Sequence, residues 1–221
     1  MEFKDMLEQR WSCRAYLPDE VPGSVISEMF DTAQRTASWC NTQPWHAHVI
    51  SAPAIKRFSD MLLEHARGGE QSSDFEMPRE YRGVYQQRRR ETGYALYNSL
   101  GIQREDRAAR LEQSLKNFEF FGAPHVAVIT TDREQGVYGA VDCGGYVANL
   151  LLAAQSLGVA TVPQAAIAMY SNQVREFLKL PEDRLVVCAV SFGYADNDHP
   201  ANQFRTRRAA VSDAVTMVTA G

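Results

Sequence analysis

Arg10-Trp11-Ser12-Cys13-Arg14 is the stretch on which the reading turns. In an extended chain, side chains two apart point the same way. Arg10, Ser12 and Arg14 therefore present guanidinium, hydroxyl and guanidinium from one edge. Arginine keeps its charge and donates through a planar fork, and serine adds a short donor, so the edge suits an anion. Alone, the segment reads more readily as a solvated turn after a short helix. A second pair at the same spacing, Arg205-Thr206-Arg207, stands near the other end and is followed by Arg208. By itself that pair reads as charged surface.

The whole chain limits what the anion can be. A net charge of -4 over 221 residues argues against nucleic acid, which needs a basic surface to neutralise its phosphates. The composition, 45% hydrophobic and 23% charged, is that of a globular chain. The length allows a single domain over 1–221 that buries most of its apolar surface. Cys13, Cys40, Cys143 and Cys188 form no C-x-x-C pair, which removes the zinc-knuckle and thioredoxin spacings. Free thiols in a reducing cytoplasm are the simplest expectation. No run approaches the ~20 apolar residues of a membrane span, and acids among the first residues do not suit a secretory leader.

Periodicity outlines the elements. Phe3, Met6 and Leu7 share a face of a short helix over 2–10. Ile26, Met29, Phe30 and Ala33 give one buried stripe over 25–37, with Ser24 as the expected cap. Residues 38–44 read as a loop, 45–51 as a strand, and 54–65 as a helix. The polar stretch 66–116 reads as an insertion that covers one side of the core. It holds a loop to Pro78, helical segments broken near Gly93 and Gly101, and the expected place for a mobile lid. Strands are expected at 125–131, 161–163 and 186–192. The most apolar helix, 139–157, is stopped by Gly158 and should be central or face a second subunit. A helix follows at 172–178, with Ser171 as a possible cap. The tail after Arg208 has no core of its own.

The chemistry-bearing residues are few. Asn41-Thr42-Gln43-Pro44-Trp45 could hydrogen-bond the edge of a heteroaromatic ring and shield its face, or could be a loop anchored by a core tryptophan. No histidine has a Ser or Cys partner pattern, so no catalytic side chain is assigned. His46-x-His48 lacks a third ligand and reads as structural, with no metal expected. Arg88-Arg89-Arg90, flanked by Glu80 and Glu91, reads as a solvated helix face or a patch near the 2′-phosphate of NADPH.

Four spaced motifs in one order change the balance. They are R-x-S-x-R-x-[FY] at Arg10–Tyr16, S-x-x-N-x-Q-P-W at Ser38–Trp45, N-L-L-L-A-A-x-x-L-G at Asn149–Gly158, and G-Y-x…R-x-R at Gly193–Arg207. Together they resemble the nitroreductase family of FMN-dependent oxidoreductases over nearly the whole chain. The resemblance implies an α+β sandwich with a mixed, mostly antiparallel sheet and helices on both faces. It also implies an intertwined homodimer with FMN at the subunit interface, and a tail that wraps the other subunit. Arg10, Ser12, Arg205 and Arg207 would hold the FMN phosphate beside Trp11, and Arg14 would approach the pyrimidine end of the flavin. A cation there stabilises the charge that collects on reduction. Ser38, Trp39 and Asn41 of the opposite subunit would line the flavin, with Trp39 standing where the family often has a small residue. Pro163, Gln164 and Ala165 match the segment whose backbone N–H faces flavin N5, where the family commonly shows Glu-Gly.

The implied reaction is ping-pong. NADPH or NADH passes a hydride to flavin N5, and a small aromatic acceptor, a nitroaromatic or quinone, then takes electrons on the same face. Trp45, Tyr81, Tyr85 and Phe120 are candidates for the acceptor pocket, Phe120 being explained equally by core packing. Two rivals share these residues: another flavin enzyme of the same fold, such as a reductive dehalogenase or a flavin-fragmenting enzyme, and an FMN-binding protein without activity.

Overall fold

The computed structural model describes residues 2–219. Its centre is a four-stranded antiparallel sheet in the order β1-β2-β4-β3, built from β1 (His46–Ile50), β2 (His125–Asp132), β3 (Ala160–Gln164) and β4 (Arg184–Gly193). β2 and β4 are the inner pair, in register with Val128 opposite Ala189 and slipping by one residue after Ile129. The run Val126-Ala127-Val128-Ile129 is wholly buried because both faces of the sheet are covered. Alternation divides it. Ala127 and Ile129 join Met29, Val147 and Leu150 in one core, while Val126 and Val128 join Phe58, Leu62 and Ile167 in the other.

Helices supply both covers. α2 (Gly23–Ala33) and α6 (Gly136–Ser156) lie on the first face; α3 (Ala54–Gly68) and α7 (Ser171–Leu178) lie on the second. α1 (Phe3–Gln9) touches α6, and α4 (Gly83–Ser99) and α5 (Arg107–Leu115) fill the polar stretch. The α+β sandwich expected from the motifs is the fold observed. Its parallel component is a single bridge from Ser12 to Thr161.

Several local expectations are corrected. Pro22, not Ser24, stands at the N-cap of α2, since the helix already begins at Gly23. Ser171 is the first residue of α7 rather than its cap; its hydroxyl donates to the Ala168 carbonyl. Gly93 does not interrupt α4, because glycine weakens a helix by only about 1 kcal/mol and keeps its N–H. The break comes at Gly101, with φ +69°. Gly158 adopts φ +73° and ends α6 as expected. α6 does have the length and apolarity of a membrane span, contrary to the reading of apolar runs. Its Tyr146, Leu150 and Ala154 are buried in the core, the arrangement of a central helix.

The 69–82 loop is tied down rather than free. Asp74 accepts from Arg175 Nη2 at 2.7 and 2.8 Å and from the Val186 N–H at 2.8 Å, and the Ser72 N–H donates to the Met169 carbonyl. α4, by contrast, contains no buried residue. The tail after Arg208 is exposed throughout its described length.

Candidate functional site

The opening segment leaves α1 in extended geometry and lies along the sheet. The Cys13 N–H donates to the Thr161 carbonyl at 2.9 Å, the Leu17 N–H to the Tyr194 carbonyl at 2.8 Å, and Tyr16 bridges Ala195. Alternation then sorts the side chains. Cys13 and Ala15 turn into the protein, while Arg10, Ser12 and Arg14, joined by Trp11, line a cavity of about 510 Å³. Phe204, Arg205, Thr206 and Arg208 line its other side. The volume falls within the usual range for a small-molecule site.

The cavity is strongly cationic. Among the described residues, none of Arg10, Arg14, Arg205 and Arg208 pairs with a carboxylate. Glu8, at the rim, pairs with Lys4. Burial, and then the neighbouring Arg208, pushes the Arg10 guanidinium below its ordinary pKa; burial does the same to Arg14. Half-buried cations without a counter-charge carry a desolvation cost that a bound anion offsets. Aromatic faces hold two of them: Arg205 lies 4.3 Å over the Trp11 ring, and Arg14 lies 5.6 Å over the Phe204 ring.

Arg207 is not among the lining residues; its neighbour Arg208 is. Two-residue alternation selects 205 and 207 only in an extended chain. Here Phe204, Thr206 and Arg208, the other parity, line the cavity together with Arg205, whose Nη1 caps the carbonyls of Asn202 and Phe204. Thr206 and Phe204 were missed for the same reason. Asn202 had no sequence signal, because its role is set by contacts with residues near the opposite terminus.

Pro163-Gln164-Ala165 lies at the end of the β3 edge strand, whose Thr161 pairs with the opening segment. Pro163 and Ala165 are exposed and Gln164 is buried. The Gln164 amide donates to the Asn117 carbonyl at 2.8 Å and accepts from the Ser191 hydroxyl. That side chain fastens the strand end, while Pro163 and Ala165 on either side of it stay exposed.

Ser38, Trp39 and Asn41 lie elsewhere and do not line the basic cavity of their own chain. Ser38 Oγ accepts from the Gln43 N–H, and the Trp39 N–H donates to Asp142 at 3.1 Å. The Trp39 indole, 58% exposed, meets Tyr138 edge to face beside a smaller cavity of about 190 Å³. Cys40, Asn41 and Gln43 all adopt positive φ.

Two acceptor-pocket candidates take the core alternative within the single chain. Trp45 is 7% exposed, stacks on Tyr146 and donates from Nε1 to Gln34, so it anchors the core. Phe120 is buried and stacked on Phe58, and it lines a surface cavity beside Lys56 and Glu119. Tyr81 and Tyr85 are exposed, Tyr81 under the Arg89 guanidinium. The His46 and His48 rings lie 4.4 Å apart, and His48 Nε2 meets Thr130 Oγ1. Among the described residues no group of three potential metal ligands converges.

Fold and cavity together define an α+β sandwich that carries an arginine-lined cavity along one sheet edge. The model of the nitroreductase family matches residues 7–194. Nitroreductase NfnB of Mycolicibacterium smegmatis is 35% identical over 210 residues, covering 94% of this chain and 89% of that protein. The 4-nitrobenzoate reductase of Pseudomonas putida is 32% identical over 94% of this chain and 91% of its own length. The solved structure of the FMN-dependent nitroreductase NfnB from Mycobacterium smegmatis in complex with NADPH superposes with a TM-score of 0.93 at 33% identity. That match covers 98% of this chain and 97% of the other. The chain belongs to the nitroreductase family.

Proposed function

We propose that this protein is an FMN-dependent NAD(P)H oxidoreductase that reduces nitroaromatic or quinone-like acceptors. The observation that carries the reading is the cavity whose half-buried arginines have no carboxylate partner. The names of the relatives support it. The donor set fits a flavin mononucleotide: Arg10, Ser12 and Arg205, with Arg208 beside them, suit the phosphate dianion. Arg14 suits the electron-rich pyrimidine end of the ring. Arg207 is assigned to the same phosphate by motif, although Arg208 has the supporting geometry. When bound, FMN supplies the acceptance of a hydride from NADPH or NADH and the delivery of electrons to the acceptor.

The protein's own part is to bind and orient. Pro163-Gln164-Ala165 stands at the strand end beside the opening segment with Pro163 and Ala165 exposed, and the buried Gln164 amide keeps it in place. A homodimer completes the site in this reading, with Ser38, Trp39 and Asn41 of a second copy closing over the ring. Two features favour it. These residues do not reach the basic cavity of their own chain, and α6 leaves Val137, Tyr138 and Val141 exposed in a row. The exposed tail is then available to wrap the second copy. The stretch 66–116 acts as a cover on a single domain. Neither nucleic acid nor membrane is a partner in this reading. Four unpaired cysteines suit a reducing cytoplasm. The test is NADPH oxidation by the purified protein supplied with FMN, with and without 4-nitrobenzoate. Acceptor-dependent oxidation is expected; none with any nitroaromatic or quinone would remove the oxidoreductase reading.

A further inference from the structure

Asn202 lies behind the basic cavity, buried and outside its lining. Its Oδ1 accepts from the Arg14 N–H at 2.8 Å, and its Nδ2 donates to the carbonyls of Ala15 at 2.9 Å and Asp196 at 2.7 Å. Its own carbonyl accepts from Arg205 Nη1 at 2.8 Å. One residue thus touches both arms of the cavity, the opening segment and the tail. Only an amide places an acceptor and two donors on one short planar group. Leucine offers neither, and aspartate no donor.

In front of Asn202 the arms cross. Arg205 of the tail stacks on Trp11 of the opening segment, and Arg14 of the opening segment stacks on Phe204 of the tail. Each guanidinium is cushioned by an aromatic ring from the other arm. Guanidiniums held in this way lose less freedom on closing around an oxyanion, and such pre-organisation raises affinity.

We propose that Asn202 is a positioning residue. Together with the crossed Arg205–Trp11 and Arg14–Phe204 stacks, it registers the opening segment against the tail and so sets the spacing of Arg10 and Ser12 from Arg205 for a phosphate monoester. It thereby makes the site select the phosphorylated flavin over its unphosphorylated parent. The inference rests on the reading of the cavity as the FMN phosphate site.

The test uses the full-length chain freed of flavin and titrated separately with FMN and riboflavin, following quenching of flavin fluorescence. The wild-type chain is expected to bind FMN more tightly. Asn202→Ala is expected to lower FMN affinity by about tenfold or more, equivalent to about 1.4 kcal/mol, with a smaller loss for riboflavin, which shares only the Arg14 contact. The ratio is the readout, since a general loosening of the fold lowers both affinities alike. Trp11→Leu keeps apolar bulk, leaves the Asn202 hydrogen bonds and removes the stack under Arg205; a smaller narrowing of the ratio is expected, and this variant decides the matter if Asn202→Ala does not fold. A folded Asn202→Ala with the wild-type ratio overturns the proposal. So does an unchanged ratio in Trp11→Leu where that variant decides. A wild-type chain that binds both flavins equally overturns the phosphate-site reading itself, and the proposal with it.

Discussion

Arg205 shows how much a single side chain carries here. Its guanidinium faces the cavity, rests on Trp11 and caps two tail carbonyls. Charge-assisted contacts contribute about 1.5–3 kcal/mol. Arg205→Ala is therefore expected to weaken FMN binding by about 10- to 100-fold at low salt. The deficit should shrink as salt rises, because screening reaches ~10 Å at 0.1 M ionic strength; titrations at two ionic strengths check both. His48 makes a different prediction. Burial, then the charges of His46 and Arg184, pushes its pKa from 6.5 to about 4. Between those values the unfolded chain takes up a proton that the folded one refuses, so stability falls as pH drops from 6.5 toward 4. Denaturation midpoints across that window should fall less steeply in His48→Gln than in the wild type. At this scale the sequence was partly legible. The alternation at Arg10, Ser12 and Arg14 survives because the segment is extended beside Thr161. Arg208 was hidden because the sequence does not show which parity of the tail faces the cavity, Asn202 because its partners lie near the opposite terminus, and Trp45 because a tryptophan reads alike in a core and in a pocket.

Among the elements, α6 and the Asp74 tether are the most consequential. α6 buries one face in the core and leaves Val137, Tyr138 and Val141 on the other. If that face meets a second copy, Val141→Arg places a charge in an apolar interface. The expected result is a smaller species by sedimentation and weaker retention of FMN, because in the proposed homodimer each site draws on both copies. A variant that sediments as the wild type contradicts the assignment of this face. Asp74 joins the 69–82 loop to α7 and β4 through a largely buried ion pair with Arg175. Removing one partner of such a pair costs ~3–5 kcal/mol, so Asp74→Ala should lower denaturant stability by about that much and loosen the loop. The strands and main helices could be read from apolar runs and helical spacing. The loop anchor could not, since Asp74 and Arg175 come together only in the folded chain. Nor could the turn at Cys40, Asn41 and Gln43, whose positive φ values are unusual for these residues.

Over the whole molecule, an acidic chain of net charge -4 gathers four arginines from its two ends into one cavity. That concentration, on a sandwich shared with the nitroreductase family, joins fold to function. Family and fold were readable because four motifs keep their order along the chain. The acceptor pocket was not, because in the single chain its candidate residues are either core or exposed. The most direct measurement is the visible spectrum of the purified protein, with FMN added if needed, recorded without oxygen before and after NADPH or NADH and again after a nitroaromatic. A flavin band that is present at the start, bleaches with nucleotide and returns with the acceptor is the expected result. A protein that takes up no FMN, or a bound flavin that neither nucleotide bleaches, would contradict the proposed function.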